Sequence, residues 1–502
     1  MKVALIQPPV GADYPPLSIG SLAAYVAREG HEPLVLDFQV PWQRARWREL
    51  LADFAPRVVG LTAMTPTIGA AARIAAECRR ALPDATIVLG GYHVSFLGEL
   101  TLRQYPVFDL GVVGEGERTL TELLCAIEGG GSLEAVPGLL LRRGDEVLYT
   151  GQRERIRDLD SLPWPHDHYD LDYYLWYGGY SERWTFKCAS AIVSRGCPFR
   201  CRFCASQRFW RKRFLLCSPE RTVEEVRYLA RRGARSIYFR DSTFTANRKW
   251  VREFCEAKLK AGLKTRWLCN TRADSVDEEL IVLMKRAGLE ALYFGVESGS
   301  QRVLDYYNKG TTVEQARRAF ELCHKHGIAT AAFFMIGAPI ETRDDIRQSR
   351  NLARELRATY TYWFIYTPLP GSPLYEESLA EDEEPNFEDF VFNRATGPVG
   401  DMTAEEPRKR LAGLVGSRGL FGEDSERIST CLRRGRPLAE YPPSVSKSGA
   451  LYHVLLAALA HAAGDALAEQ AVLQSIPEDA SPPPLRFLSR LSSLPAFRTV
   501  PR

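Results

Sequence analysis

"AIVSRGCPFRCRFC" (Ala191–Cys204) joins an apolar run of strand type to three cysteines spaced Cys-x3-Cys-x2-Cys. Such a run ending in a thiol-rich loop puts the loop at the carboxyl end of a strand, where α/β folds build their sites. Three thiols, Cys197, Cys201 and Cys204, are an odd number for disulfides and one short of a closed tetrahedral zinc site. The residues alone leave three readings. They are buried structural thiols, or a zinc site completed by Cys188 or Cys217, or the ligands of a [4Fe–4S] cluster with one iron open. Arg195, Arg200 and Arg202 suit a site of excess negative charge, and equally suit a solvated surface.

Working toward the carboxyl end, a strand–helix series runs from Ala189 to about Leu369. Its strands read as Ser190–Arg195, Ser236–Asp241, Thr265–Arg272, Ala291–Ser298, Thr330–Gly337 and Thr361–Pro370. Six repeats fall short of the eight of a full barrel, so the expectation is an open partial barrel with its functional residues at the carboxyl ends of the strands.

Working the other way, residues 1 to about 127 alternate short β-branched runs with helical patterns. Lys2–Ile6, Pro33–Asp37, Val58–Met64, Thr86–Gly91 and Leu110–Glu117 read as buried strands, with helices such as Ile19–Glu29 and Ile68–Ala81 between them. This pattern predicts a doubly wound parallel sheet of Rossmann-like type. Leu139–Thr150 reads as a hairpin around Gly144-Asp145. The fold class is therefore α/β. Residues 1–150 form a doubly wound domain, 151–187 a linker, 188–376 a partial (β/α)6 barrel, and 377–502 a mostly helical extension that includes a helix over Leu451–Leu473.

The chain has 502 residues, enough for two or three domains, with 45% apolar and 25% charged residues. A formal charge of +3 is close to neutral and gives no sign of a nucleic-acid partner. No run of about 18 apolar residues predicts a membrane span. The first residues read as a strand and not as a signal peptide, so a cytoplasmic setting is expected.

At this point the sequence resembles the radical S-adenosylmethionine (SAM) enzymes. "GCPFRCRFC" is similar to their cluster motif, with Phe203 beside the last cysteine. The resemblance implies that Cys197, Cys201 and Cys204 hold a [4Fe–4S] cluster whose fourth iron is chelated by SAM. An electron from the cluster then cleaves SAM to a 5′-deoxyadenosyl radical. "FRDSTFT" resembles the second-strand signature; Asp241 is kept, while Ser242 stands where a second acid is usual. The resemblance further implies that Arg272 pairs with the SAM carboxylate and that Glu297 and Ser298 reach its ribose or amino group. Gly337 and Pro339 of "FFMIGAPIET" would lie against adenine, and "YTPLPGSPLY" (Tyr366–Tyr375) is similar to the segment closing the sixth strand.

A doubly wound domain before such a barrel resembles the cobalamin-dependent branch of the family. The pieces are Pro8–Val26, Val59–Thr67, Gly90–Phe96 and Val112–Glu117. On this resemblance Pro8, Thr62, Thr65, Gly90, Gly91, His93, Gly114, Glu115 and Gly116 contact cobalamin. The Asp-x-His-x-x-Gly signature that sets a histidine beneath cobalt is absent after the first strand. His93 has a second reading, as a donor to a backbone carbonyl.

The function implied is methyl transfer from methylcobalamin to an unactivated carbon of a small-molecule substrate, with flavodoxin or ferredoxin as electron donor. The alternatives are a non-methylating radical reaction (ring formation, rearrangement, dehydration) and, more remotely, a zinc-bound structural or nucleic-acid-binding module. Trp164, Tyr169, Tyr173, Tyr174, Trp176 and Tyr177 either line a cavity between domains or pack the domains together. Cys269 is expected near the barrel mouth, where a thiol could quench a radical.

Overall fold

The computed structural model describes residues 1–9, 14–144, 146–176 and 187–378. The amino-terminal sheet contains β1 (Lys2–Gln7), β2 (Glu32–Asp37), β3 (Val58–Thr62), β4 (Thr86–Gly90), β5 (Leu110–Val112), β6 (Leu139–Arg143) and β7 (Glu146–Tyr149), in the order β2-β1-β3-β4-β5-β6-β7. The first five strands pair in parallel, and β6–β7 is the expected hairpin, added antiparallel to β5. Asp145 of that hairpin lies outside the described residues.

Strands covered on both faces explain why these segments read as continuous apolar runs. Val3 and Leu5 pack under helices Leu17–Arg28 and Gly116–Gly129, while Ala4 and Ile6 pack under Pro41–Phe54, Ile68–Ala81 and Tyr92–Gln104. The strand order reverses at β1, so the crevice beyond the carboxyl ends of β1 and β3 is the topological switch point where such folds bind ligands.

The second sheet has six parallel strands, each beside its neighbour in sequence, as a partial barrel requires. They are β8 (Cys188–Ala191), β11 (Ser236–Phe239), β12 (Arg266–Thr271), β13 (Leu289–Glu297), β14 (Ala329–Ile336) and β15 (Tyr360–Ile365). Between β8 and β11 lie β9 (Ser194–Gly196) and β10 (Phe214–Leu216), a separate antiparallel ribbon. The outer face, with Ile237, Trp267, Phe294 and Phe334, is buried against helices in one core. Those helices start at side-chain caps: Ser218 accepts from the Arg221 N–H at 3.1 Å, and Thr312 and Thr342 form capping boxes with Gln315 and Asp345.

One strand differs from the reading of the sequence. The run Ser190–Arg195 is cut in two, because the Asp241 carboxylate accepts the Val193 N–H (3.0 Å) and the Ser194 hydroxyl (2.5 Å). That anchor draws the chain off the sheet, and the cysteine loop leaves from the ribbon.

The linker aromatics pack the domains together. Tyr169, Tyr173 and Tyr174 are buried in the barrel core; the Tyr174 hydroxyl donates to Asp37 and that of Tyr173 to the Gln39 carbonyl. Trp164 alone of those described reaches a cavity wall. The Trp176 side chain, Tyr177, residues 379–502 and the expected helix Leu451–Leu473 lie outside the described residues. Among the described residues no helix is long and apolar enough to cross a membrane.

Candidate functional site

The cysteine loop is framed by the β9–β10 ribbon, where Gly196 pairs with Phe214. Gly196 has φ +92°, and a methyl group on it would lie 1.9 Å from the Arg213 carbonyl oxygen, so only glycine fits immediately before Cys197. Two arginines of the loop serve as struts, while Arg200 is exposed. Arg195 pairs with both Glu115 and Glu117 of the amino-terminal domain, and Arg202 with Glu377 (2.6 Å). Arg195, half-buried, binds these carboxylates and not the thiols, which settles its part of the open question from the sequence.

The three thiols line one cavity of about 710 Å³ between the carboxyl ends of the two sheets. Its walls include Gln7, Thr62 and Met64 on one side, and Phe199, Phe203, Arg272, Glu297 and Lys309 on the other. Cys188 and Cys217 are not on this wall. Cys188 is buried at the amino-terminal end of β8, and Cys217 faces a second cavity. Among the described residues no three His, Cys, Asp or Glu side chains are gathered tightly enough to hold a metal ion. A cluster asks for something different, one thiolate on each of three irons spread over the face of a cube. Three thiols around an open cavity, with no fourth thiol beside them among the described residues, fit that demand.

Burial pushes the Cys201 thiol up and that of Cys204 to about 11. At Cys201 the charges of Lys309 and Arg272 oppose the burial. The Arg272 guanidinium lies 3.8 Å from Cys201 Sγ and over the Phe199 ring, also at 3.8 Å. Its Nε and Nη2 donate to the two Asp274 oxygens at 2.9 and 2.8 Å, so the fork expected for a SAM carboxylate already holds an internal one. Glu297 ends β13 with φ +66°, a strained backbone for a non-glycine residue, and accepts from Lys309 Nζ at 2.7 Å.

The remaining expected SAM residues stand behind the wall. Ser298 is held by the Ser349 hydroxyl at 3.1 Å, Asp241 by Val193 and Ser194, and Gly337 gives its N–H to Glu341 at 2.5 Å in the turn that includes Pro339. Ser242, the departure from the expected acid pair, is the residue that faces the cavity. Burial pushes Asp241 up to about 7 and Glu341 to about 7. Cys269 does not reach the barrel mouth. Its side chain is buried in the outer core between sheet and helices, because it sits on the opposite face of β12 from Asn270.

A second cavity of about 360 Å³ opens beside the first, with Leu17, Ser18, Thr62, Tyr92 and Ile192 shared between them. Its floor is bare backbone: Gly60 within β3, Gly90 and Gly91 at the end of β4, and Gly114 and Gly116 after β5, with Glu115. A methyl group on Gly91 (φ +97°) would meet the Ala63 carbonyl oxygen at 2.6 Å, so the turn leaves no room for a side chain. A wide slot floored by glycine at a switch point fits a large flat cofactor with amide arms. Pro8, Thr65 and His93 line neither cavity. His93 is fully buried beneath Thr65, whose hydroxyl lies 3.1 Å from its Nδ1, and burial lowers it to about 4.

Lys309, Phe199, Asn270, Arg240 and Thr243 were not singled out from the sequence. Lys309 follows an undistinguished "YYN", and only its spacing from Cys201 in the folded chain gives it meaning.

Two family models match the chain: the B12 binding domain over residues 6–124 and the radical SAM superfamily over 191–353. An uncharacterized methyltransferase of Pyrococcus horikoshii, PH0819, is 33% identical over 76% of this chain and 84% of its own. The anaerobic magnesium-protoporphyrin IX monomethyl ester cyclase of Rubrivivax gelatinosus is 31% identical over 78% of this chain and 72% of its own. In fold, the radical SAM methyltransferase TsrM of Kitasatospora setae, solved with cobalamin and a [4Fe–4S] cluster, superposes with a TM-score of 0.65 at 22% identity, over 75% of this chain and 74% of that one. With the thiol cavity and the glycine slot meeting at the same strand ends, the chain belongs to the family of cobalamin-dependent radical SAM enzymes.

Proposed function

We propose that the chain methylates an unactivated carbon of a small-molecule biosynthetic intermediate in the cytoplasm, with electrons supplied by a flavodoxin or ferredoxin. Residues 1–150 serve cobalamin, 188–376 the radical chemistry, 151–187 joins them, and 377–502 extends the chain. The observation that carries the reading is the single cavity in which three thiols face the switch point of the amino-terminal sheet. When bound, the cluster with SAM supplies hydrogen-atom abstraction and cobalamin supplies the methyl group.

The chain's own part is binding and exclusion of water. Cys197, Cys201 and Cys204 would hold the cluster; Phe203, Arg272 and Glu297 would hold SAM, with Asp241, Ser298, Gly337 and Pro339 shaping the wall behind them. Thr62, Gly90, Gly91, Gly114, Glu115 and Gly116 would hold cobalamin. Lys309 fixes the Glu297 carboxylate, so an ammonium group brought there meets an oriented anion. Phe199, Phe203, Met64 and Tyr92 form an apolar wall that keeps water from the reacting centre.

The test is to incubate the anaerobically reconstituted protein with trideuteromethyl SAM, hydroxocobalamin, reduced flavodoxin and a pool of candidate metabolites. The expected result is 5′-deoxyadenosine and S-adenosylhomocysteine together with a trideuteromethyl product. 5′-Deoxyadenosine without label transfer overturns the reading. It would favour the second one, a radical reaction without methyl transfer, which has in its support the 31% identity to a protein named as a cyclase.

A further inference from the structure

The glycine slot is not walled by the amino-terminal sheet alone. Leu162 and Trp164 of the linker line it too, and so do Cys217, Arg221 and Glu225 of the barrel. Arg221 and Glu225 lie four residues apart on the helix Pro219–Arg231, so they share one face, with Cβ atoms about 5–6 Å apart.

Glu225 is a carboxylate in a place where apolar packing is the rule. The residue is 5% exposed, and Val223 and Val226 beside it are buried in the barrel core. A buried acid persists where its oxygens find donors. One oxygen has such a donor: His166 Nε2 lies 2.7 Å from Oε1, and His166 Nδ1 lies 2.9 Å from the Tyr169 hydroxyl. A carboxylate only accepts, so Nε2 carries the proton, and in the neutral ring Nδ1 accepts from Tyr169. His166 is fully buried, which holds the imidazole and with it the plane of the carboxylate. That leaves Oε2 for the cavity that the residue lines, an oriented acceptor in need of a donor.

Arg221 supplies the complement. Its guanidinium lies 4.3 Å from the centre of the Trp164 ring, and its Nη2 donates to the Leu162 carbonyl at 2.5 Å. The linker thus pins a group whose fork of donors exceeds that one bond. A fixed donor and a fixed acceptor on one helix face match the C=O and NH2 of a primary carboxamide.

We propose that Glu225, positioned by His166, accepts a hydrogen bond from a primary carboxamide arm of the corrin ring, so that linker and barrel take part in selecting the cofactor. The inference rests on cobalamin filling the glycine slot and not on methyl transfer, because binding is measured without turnover.

Equilibrium dialysis of the protein with its cluster reconstituted tests it. The probes are hydroxocobalamin, cobinamide and the cobalamin monocarboxylic acids, one for each primary carboxamide. In the wild-type protein one acid, with a carboxylate in place of the contacted amide, should bind about tenfold or more weaker than hydroxocobalamin, the scale of one charge-assisted bond lost. In Glu225→Gln that penalty should shrink to about threefold or less, because the introduced amide can donate to the acid. His166→Phe should erase the same discrimination while the other acids keep their order; equal weakening of every corrinoid would overturn its positioning role. Cobinamide lacks the nucleotide tail, and Glu225→Gln should weaken it by the same factor as hydroxocobalamin. Wild-type binding of every acid within about threefold of hydroxocobalamin overturns the proposal without any variant. An unchanged penalty in Glu225→Gln overturns it too, as does a loss confined to hydroxocobalamin, which would put the donor on the tail. If the acids rank as expected while no label is transferred, the methyltransferase reading alone fails.

Discussion

Gly196→Ala tests whether the cysteine loop is rigid because of its backbone. The added methyl group would sit 1.9 Å from the Arg213 carbonyl oxygen, where ordinary contact begins near 3.4 Å. The ribbon must therefore open by roughly 1.5 Å, more than its three paired residues absorb without losing bonds. Alanine at φ +92° adds about 1–3 kcal/mol of strain, and loss of one or two ribbon hydrogen bonds adds about 1 kcal/mol each. The total, about 2–5 kcal/mol, is enough to open the ribbon, while domains of 5–15 kcal/mol stability remain folded. Gly233→Ala is the control: its φ is +99°, yet a methyl group there meets nothing within 4 Å, so it carries the strain without the clash. The assay is iron content after anaerobic reconstitution, with hydrogen exchange of the Ser194–Leu216 amides and a thermal melt alongside. Gly196→Ala should lose iron and ribbon protection with the global melt nearly unchanged, while Gly233→Ala keeps its iron. Iron at wild-type level, about 4 per chain, with unchanged ribbon exchange in Gly196→Ala would refute the reasoning.

Cys197→Ala, Cys201→Ala and Cys204→Ala should each abolish iron loading and SAM cleavage, whereas Cys217→Ala, at the other cavity, should do neither; equal dependence on Cys217 would reopen the zinc reading. Asp241 keeps its proton to about pH 7 in the fold but loses it near 4 when unfolded, so its contribution is complete below pH 4 and falls by about 4 kcal/mol as pH rises through 7. Asp241→Asn should therefore melt above the wild-type protein at pH 8 and level with it near pH 4, and a gap of constant size would contradict the assignment. His93 has the opposite sign. Held neutral down to about pH 4, it contributes fully above 6.5 and loses about 3 kcal/mol as pH falls from there to 4; His93→Gln should flatten that acid limb of the stability curve.

The two sheets could be read in the sequence because strands covered on both faces must be apolar almost throughout, and the glycine turns mark their ends. The same uniformity hid which face each residue takes. Phe333 and Phe334 are adjacent and alike, yet the first lines the cavity and the second lies in the helix-facing core. Reading Ser190–Arg195 as one strand failed for a non-local reason, an acceptor at Asp241 far along the chain. Asp241, Ser298 and Gly337 belong to motifs at the right strand ends, but their hydrogen bonds turn them into supports for the wall. Lys309 was invisible because a lone lysine in a loop has no pattern; its meaning comes from Glu297 and Cys201.

Arg195 holds both Glu115, in the glycine slot, and Glu117, and it sits one residue before Gly196. The two sites are thus thermodynamically linked through one guanidinium. Any ligand that steadies Glu115 also steadies the ribbon beneath the thiols, and by reciprocity a filled thiol site tightens the slot by the same factor. The equilibrium affinity for iron, read by competition with a chelator, should therefore rise when hydroxocobalamin is present, and cobalamin affinity should rise by an equal ratio on loading iron. In Arg195→Met both ratios should shrink toward one.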